Sequence, residues 1–156
     1  MVLELKGDIR ETPILSIAHG VNCQGAMGSG VARALFQKWP EVRTEYLKFY
    51  AEAKEEGAKP EDFLGCTNKV VTDRKYIYNM FTQLEFGPAD KQYVDYSAIL
   101  KCFDDLRYEM PRAIAVPKIG AGLAGGDWKV IRDILVKTTQ KLGIDLVIYS
   151  LTDDKK

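Results

Sequence analysis

The chain has 156 residues and 17.5 kDa, 46% hydrophobic and 28% charged, and its 22 basic residues balance its 22 acidic ones. That is the size and composition of one globular domain, able to bury roughly 68–70% of its unfolded surface without a metal or disulfide staple. Zero net charge argues against gripping nucleic acid through an overall field, no apolar run reaches the ~18 residues of a membrane span, and the acid-bearing start MVLELKGDIR is not a signal peptide, so a cytoplasmic, monomeric domain is expected.

Residues 2–5 alternate as a short strand, and 14–18 read as a more continuously apolar, buried one. A glycine-rich turn over 22–30 leads into a helix over 31–39 that Pro40 interrupts. Helical spacing resumes over 42–53 through Val42, Tyr46, Phe49 and Tyr50. The polar stretch KEEGAKPED, 54–62, reads as a surface loop. Two β-rich runs follow, 64–71 and 76–81, separated by a turn at 72–75. Tyr96, Ile99, Leu100 and Phe103 share one face of a helix running to about residue 108, and 113–116 form another buried strand. Trp128, Ile131, Ile134, Leu135, Thr138 and Leu142 stripe a last long helix that Gly143 ends, and 146–149 form the closing strand. The tail Asp153-Asp154-Lys155-Lys156 reads as a frayed end. Helices between apolar strands predict an α/β fold with both faces of the sheet covered.

Cys23, Cys66 and Cys102 form no CxxC, so reduced thiols are expected, and a single histidine, His19, excludes His-rich zinc sites. The pairs Asp104-Asp105 and Asp153-Asp154 read as solvated faces, so no metal and no cofactor are expected.

One kind of junction occurs twice. HGVNCQGAMGSG (19–30) and PKIGAGLAGGDW (117–128) each place a glycine-rich turn between a buried strand and a helix. Glycines let a ligand approach backbone amides without a Cβ in the way, and the following helix adds unpaired N–H groups and the positive end of its dipole. Two such cradles at the carboxyl ends of strands in one sheet can pinch a diphosphate. Residues 120–125 formally match GxGxxG, but they lie late in the chain and no acid ends the next strand, which excludes a dinucleotide fold; no P-loop exists.

Asp8 is an acceptor for an exocyclic amine or a ribose hydroxyl, or a turn residue or cap. Asn22 suits vicinal hydroxyls, or forms an Asx-turn. Asp127 is an acid–base candidate or the cap of the last helix, and His19 a general base, a phosphate ligand or a hydrogen-bonded strand residue. A Cys23 nucleophile is disfavoured, since a four-residue spacing from His19 in an irregular loop guarantees no contact. Phe81, Phe86, Trp128 and Tyr149 lie where a base could stack, or pack in the core.

Taken together, KGDI, AHGVNCQGAMGSGVA, PKIGAGLAGGDW and the closing IYSL resemble the macrodomain, the ADP-ribose-binding module, over essentially the whole chain. The resemblance implies one macrodomain over 1–156, a three-layer α/β/α sandwich on a mixed sheet, with ADP-ribose at the strand ends. It implies that Asp8 bonds the adenine amine with the Ile9 amide beside the ring, that Asn22 holds the distal ribose, and that Tyr149 flanks the adenine. The Gly28-Ser29-Gly30-Val31 amides and the loop Ile119-Gly120-Ala121-Gly122-Leu123-Ala124-Gly125 would wrap the diphosphate and distal ribose. Within the family the chain is most similar to the ADP-ribose 1''-phosphate phosphatase and terminal ADP-ribose protein glycohydrolase branches. It departs from the latter in carrying Gln83 where a lysine is expected and alanine, Ala124, where an aspartate is. The implied activity is hydrolysis of ADP-ribose 1''-phosphate with His19, Asn22 and Asp127 as catalytic residues. The alternatives are a glycohydrolase acting on ADP-ribosylated protein or nucleic acid, and a binding module without turnover.

Overall fold

The structure, a computed structural model, describes residues 1–88 and 91–151, so the acidic pair at 153–154 and the tail lie outside it. Six strands form one sheet in the order β1-β6-β5-β2-β4-β3: β1 (Val2–Lys6), β2 (Ser16–Asn22), β3 (Thr67–Val71), β4 (Tyr76–Gln83), β5 (Ala113–Val116) and β6 (Asp145–Ser150). All neighbours are parallel except β3, which pairs antiparallel with β4 through the tight turn predicted at 72–75. Helices α1 (Gly30–Lys38), α2 (Glu41–Glu55) and α3 (Pro60–Phe63) cover one face, where Leu35, Val42, Tyr46 and Phe63 meet Ile17, Ile77 and Phe81. Helices α4 (Tyr96–Asp104) and α5 (Trp128–Leu142) cover the other, packing Ile99, Phe103, Ile131 and Leu135 on Met80, Ile114 and Leu146. The protein is thus a three-layer α/β/α sandwich on a mixed sheet.

Most elements form where the residue pattern puts them, and Gly143 ends α5 in the left-handed conformation, φ 73°. Two differ. The strand expected at 14–18 begins at Ser16 and runs to Asn22, because Lys75 Nζ holds the carbonyls of Thr12 and Ile14 at 2.8 and 2.6 Å and keeps that stretch out of the sheet. The loop expected at 54–62 contains the start of α3, where Pro60 opens the turn and the Asp62 carboxylate accepts the Lys59 N–H at 2.8 Å; Phe63 then stacks on Tyr50, ring centroids 4.5 Å apart.

The sheet opens at one point. β2 and β5 share a single registered pair, Ile17 with Ala115, and beyond it the chain leaves β2 toward α1 on one face and β5 toward α5 on the other. Adjacent parallel strands whose crossovers depart to opposite faces leave a crevice outside their carboxyl ends.

Candidate functional site

Both glycine loops flank that crevice. The first is shaped by a β-bulge: register shifts between Val21 and Asn22, so Asn22 pairs with Gln83 and its side chain turns toward α2. There Asn22 Oδ1 accepts the N–H of Gln24 at 3.0 Å and the Tyr46 hydroxyl at 3.1 Å, while its Nδ2 donates to Ala26 O at 2.7 Å. The Asx-turn reading of Asn22 is therefore the one realised, and its side chain builds the loop, keeping one amide N–H for a ligand. The loop then opens. An ideal Cβ at Gly28 or Gly30 meets nothing within 4 Å, Ser29 makes no side-chain cap, and the N–H groups of Gly28, Ser29, Gly30 and Val31 have no acceptor among the described residues.

The second loop is more internally bonded than expected. Its turns use the N–H groups of Ile119, Ala121 and Gly125, leaving those of Gly120, Gly122, Leu123 and Ala124 without acceptors among the described residues. The Ile119 side chain is buried, Leu123 is exposed, and Gly122 faces open space. The loop is gripped from behind by the connection between β4 and α4. There the Tyr93 and Val94 N–H groups donate to Ala124 O at 2.7 and 3.1 Å. Where β4 passes into this connection, the Cys23 N–H meets Gln83 O at 3.0 Å, and Gln24 Nε2 donates to Leu84 O at 2.8 Å. The described residues of this connection thus touch both loops, a partner that no periodicity in 84–95 announces.

His19 is corrected as a general base or phosphate ligand. It lies inside β2, 1% exposed, and its Nε2–H donates to Asn79 Oδ1 at 2.5 Å. The direction is set by Asn79, whose Nδ2 donates to Asn68 Oδ1 and Val42 O, so Oδ1 must accept. Burial pushes the imidazole pKa down to about 4, holding the ring neutral and away from any solvent proton. Cys23 is also buried, and burial raises its thiol to about 12, so it is no nucleophile.

Asp127 is exposed at the start of the last helix. It is the N-cap of α5, its Oδ1 accepting the Lys129 N–H at 3.0 Å, and its own N–H goes to Tyr96 Oη on the α4 side. Asp8 caps a 3₁₀ turn (Ile9–Glu11) and is clasped by Arg10, whose Nε and Nη2 lie 2.9 and 2.5 Å from Oδ2. The guanidinium beside it holds that carboxyl below its usual range. Ile9 is buried. Tyr149 is half-buried with its ring near Gly7, and its hydroxyl pairs with Thr12 Oγ1 at 2.8 Å. Asp8, Ile9 and Tyr149 therefore share one end of the sheet edge, and the glycine loops share the crevice.

A groove of about 480 Å³ lies at the opposite pole, walled by Pro13, Tyr76, Tyr78 and Pro111, but it faces the amino ends of the strands and has no glycine loop. Among the described residues no cluster of three His, Cys, Asp or Glu side chains could hold a metal ion, and no helix is long and apolar enough to cross a membrane.

The Macro domain family model matches residues 18–135 of the chain. A DNA ADP-ribosyl glycohydrolase of Mycobacterium tuberculosis is 29% identical over 96% of this chain, which spans 42% of that relative. An ADP-ribose 1''-phosphate phosphatase of Scheffersomyces stipitis is 28% identical over 88% of this chain and 94% of its own length. The solved macrodomain of Mycobacterium tuberculosis DarG matches with a TM-score of 0.79 and 27% identity, over 97% of this chain and 99% of that one.

Proposed function

Since the chain belongs to the Macro domain family, we propose that it binds ADP-ribose and hydrolyses ADP-ribose 1''-phosphate to ADP-ribose and phosphate. The observation that carries this reading is the crevice where β2 and β5 part, flanked by two loops with unpaired amides and by glycines that face open space. Such amides bind a diphosphate and stabilise charge that develops on a transferring phosphoryl group. The diphosphate lies between the amides of residues 28–31 and 122–124, the distal ribose above Asn22, and the adenine toward Ile9, Asp8 and Tyr149. The likeness to a phosphatase over 94% of that relative's length supports the same substrate.

With His19 buried, the reaction rests on anion stabilisation and positioning. A phosphorus NMR time course with ADP-ribose 1''-phosphate and no added metal tests the reading. Decay of the 1''-phosphate signal with growth of free phosphate is expected. Broadened diphosphate signals without release would leave a binding module and remove the phosphatase.

A second reading, removal of ADP-ribose from a protein carboxylate or a nucleobase, is favoured by the 29% identity to a DNA ADP-ribosyl glycohydrolase. Release of ADP-ribose from modified DNA or protein, with no phosphate from ADP-ribose 1''-phosphate, would select it.

A further inference from the structure

Gln83 is the last residue of β4 and stands beside Asn22 because of the β2 bulge. Its backbone is fixed twice, by the Cys23 N–H on its carbonyl at 3.0 Å and by an antiparallel bridge to Val94. Its side chain is fixed as well: Nε2 donates to Glu85 O at 2.8 Å, which settles the orientation of the amide and leaves Oε1 as an acceptor with no partner among the described residues. The side chain is half-buried, so this acceptor is oriented by the protein and still reachable.

Among the described residues, no base is hydrogen-bonded to this amide. The titratable groups described around this strand end include Cys23, Tyr46 and Tyr50 on the α1–α2 side, and Glu85 on the strap between β4 and α4. Burial raises the pKa of the first three, and Glu85 pairs with Lys91 at 3.7 Å. Phosphoryl transfer does not require one: its loose transition state needs the attacking water held in line more than it needs it deprotonated.

We infer that Gln83 Oε1 accepts a hydrogen bond from the attacking water and holds it in line with the phosphorus of the substrate. This assignment rests on the phosphatase reading above. The water oxygen bonds to phosphorus as the bond from phosphorus to the anomeric oxygen breaks. The electron pair of the broken bond and one water proton end on that oxygen, giving ADP-ribose, and inorganic phosphate leaves. The glutamine takes no proton; its role is alignment.

The test measures phosphate release from ADP-ribose 1''-phosphate and, separately, ADP-ribose affinity by calorimetry, in wild type, Gln83→Leu and Gln83→Glu. Expected for Gln83→Leu is a loss of about 100-fold in kcat with affinity unchanged within about twofold. Gln83→Glu keeps an acceptor oxygen and is expected to exceed Gln83→Leu in turnover, which preserves the test should the leucine variant fold poorly. Wild-type kcat is expected to stay flat from about pH 7 to 9, above the second ionisation of a phosphomonoester at about 6. Wild-type turnover in Gln83→Leu, an equal loss of affinity and turnover, or a wild-type kcat rising about tenfold per pH unit would each overturn the assignment. Absence of phosphate release by the wild type would instead overturn the phosphatase reading, and the assignment with it.

Discussion

The first glycine loop is held by side-chain hydrogen bonds and the second by backbone hydrogen bonds and close packing, although the two follow adjacent strands and share a glycine-rich composition. Beneath the first, Tyr46 Oη donates to Asn22 O at 2.8 Å, and His19, Asn79 and Asn68 form a buried chain of hydrogen bonds. In the second, ideal Cβ positions at Gly120 and Gly126 would come 2.7 and 2.6 Å from Val94, and at Gly125 2.5 Å from Lys91 O, while Gly28 and Gly30 of the first face nothing. The same residue type thus serves two ends. In the second loop most glycines are present because nothing larger fits against the strap; at the mouth of the first they leave room for a ligand.

That contrast predicts a graded set of responses. The largest is Gly125→Ala: the position has φ 72°, and the new methyl would meet backbone at 2.5 Å, so a loss of about 3 kcal/mol is expected in urea denaturation. An unchanged midpoint would mean that the second loop is not held by packing. Next is acid. The folded His19 pKa is about 4 against an ordinary 6.5, so between these values the unfolded chain binds a proton that the folded one refuses. Stability from this group is complete above about pH 6.5 and falls as pH drops through 4, by up to roughly 3 kcal/mol. His19→Gln should flatten urea midpoints across that window; a slope retained in the variant would assign the titration elsewhere.

Tyr46→Phe removes the hydroxyl proton that Asn22 O and Oδ1 share and should cost about 1 kcal/mol, with weaker ADP-ribose binding as the first loop loosens. Smallest in stability is Gly28→Ala, expected within ~0.5 kcal/mol of wild type because its Cβ enters open space. Calorimetry should nevertheless show ADP-ribose affinity about tenfold weaker, a change of ~1.4 kcal/mol. Full affinity in that variant would place the ligand away from the first loop.

The sequence carried the layers well, because the apolar stripe from Trp128 to Leu142 and the buried runs at 113–116 and 146–149 have periods that only a covered sheet satisfies. It carried the two loops because glycine spacing is local. It was poorer at deciding which of two readings a polar residue takes. Asp8, Asn22 and Asp127 each turned out to hold a turn or a helix end, which spacing alone leaves open beside a ligand role. For His19 the hydrogen-bonded strand reading is the one seen, and the pattern left it open because whether a strand-end histidine meets solvent depends on a bulge two residues later and on Asn79, 60 positions away. The strap between β4 and α4 had no legible signal, since its contacts are made by backbone groups and by Val94 against glycines of a distant loop.

His19, Asn79 and Asn68 stand directly opposite one another on β2, β4 and β3, forming a polar row across three strands. All three are buried, and in this alignment Asn79 bonds both of its neighbours in the row. A strand shifted by one residue would turn its polar member to the other face and strand the remaining two in an apolar layer, at about 1–3 kcal/mol for each unpaired group. Apolar neighbours such as Ile17, Ile77 and Val70 could tolerate such a slip among themselves. The row therefore works as a key for strand alignment, and it protects the position of the crevice by making every misaligned sheet a worse one.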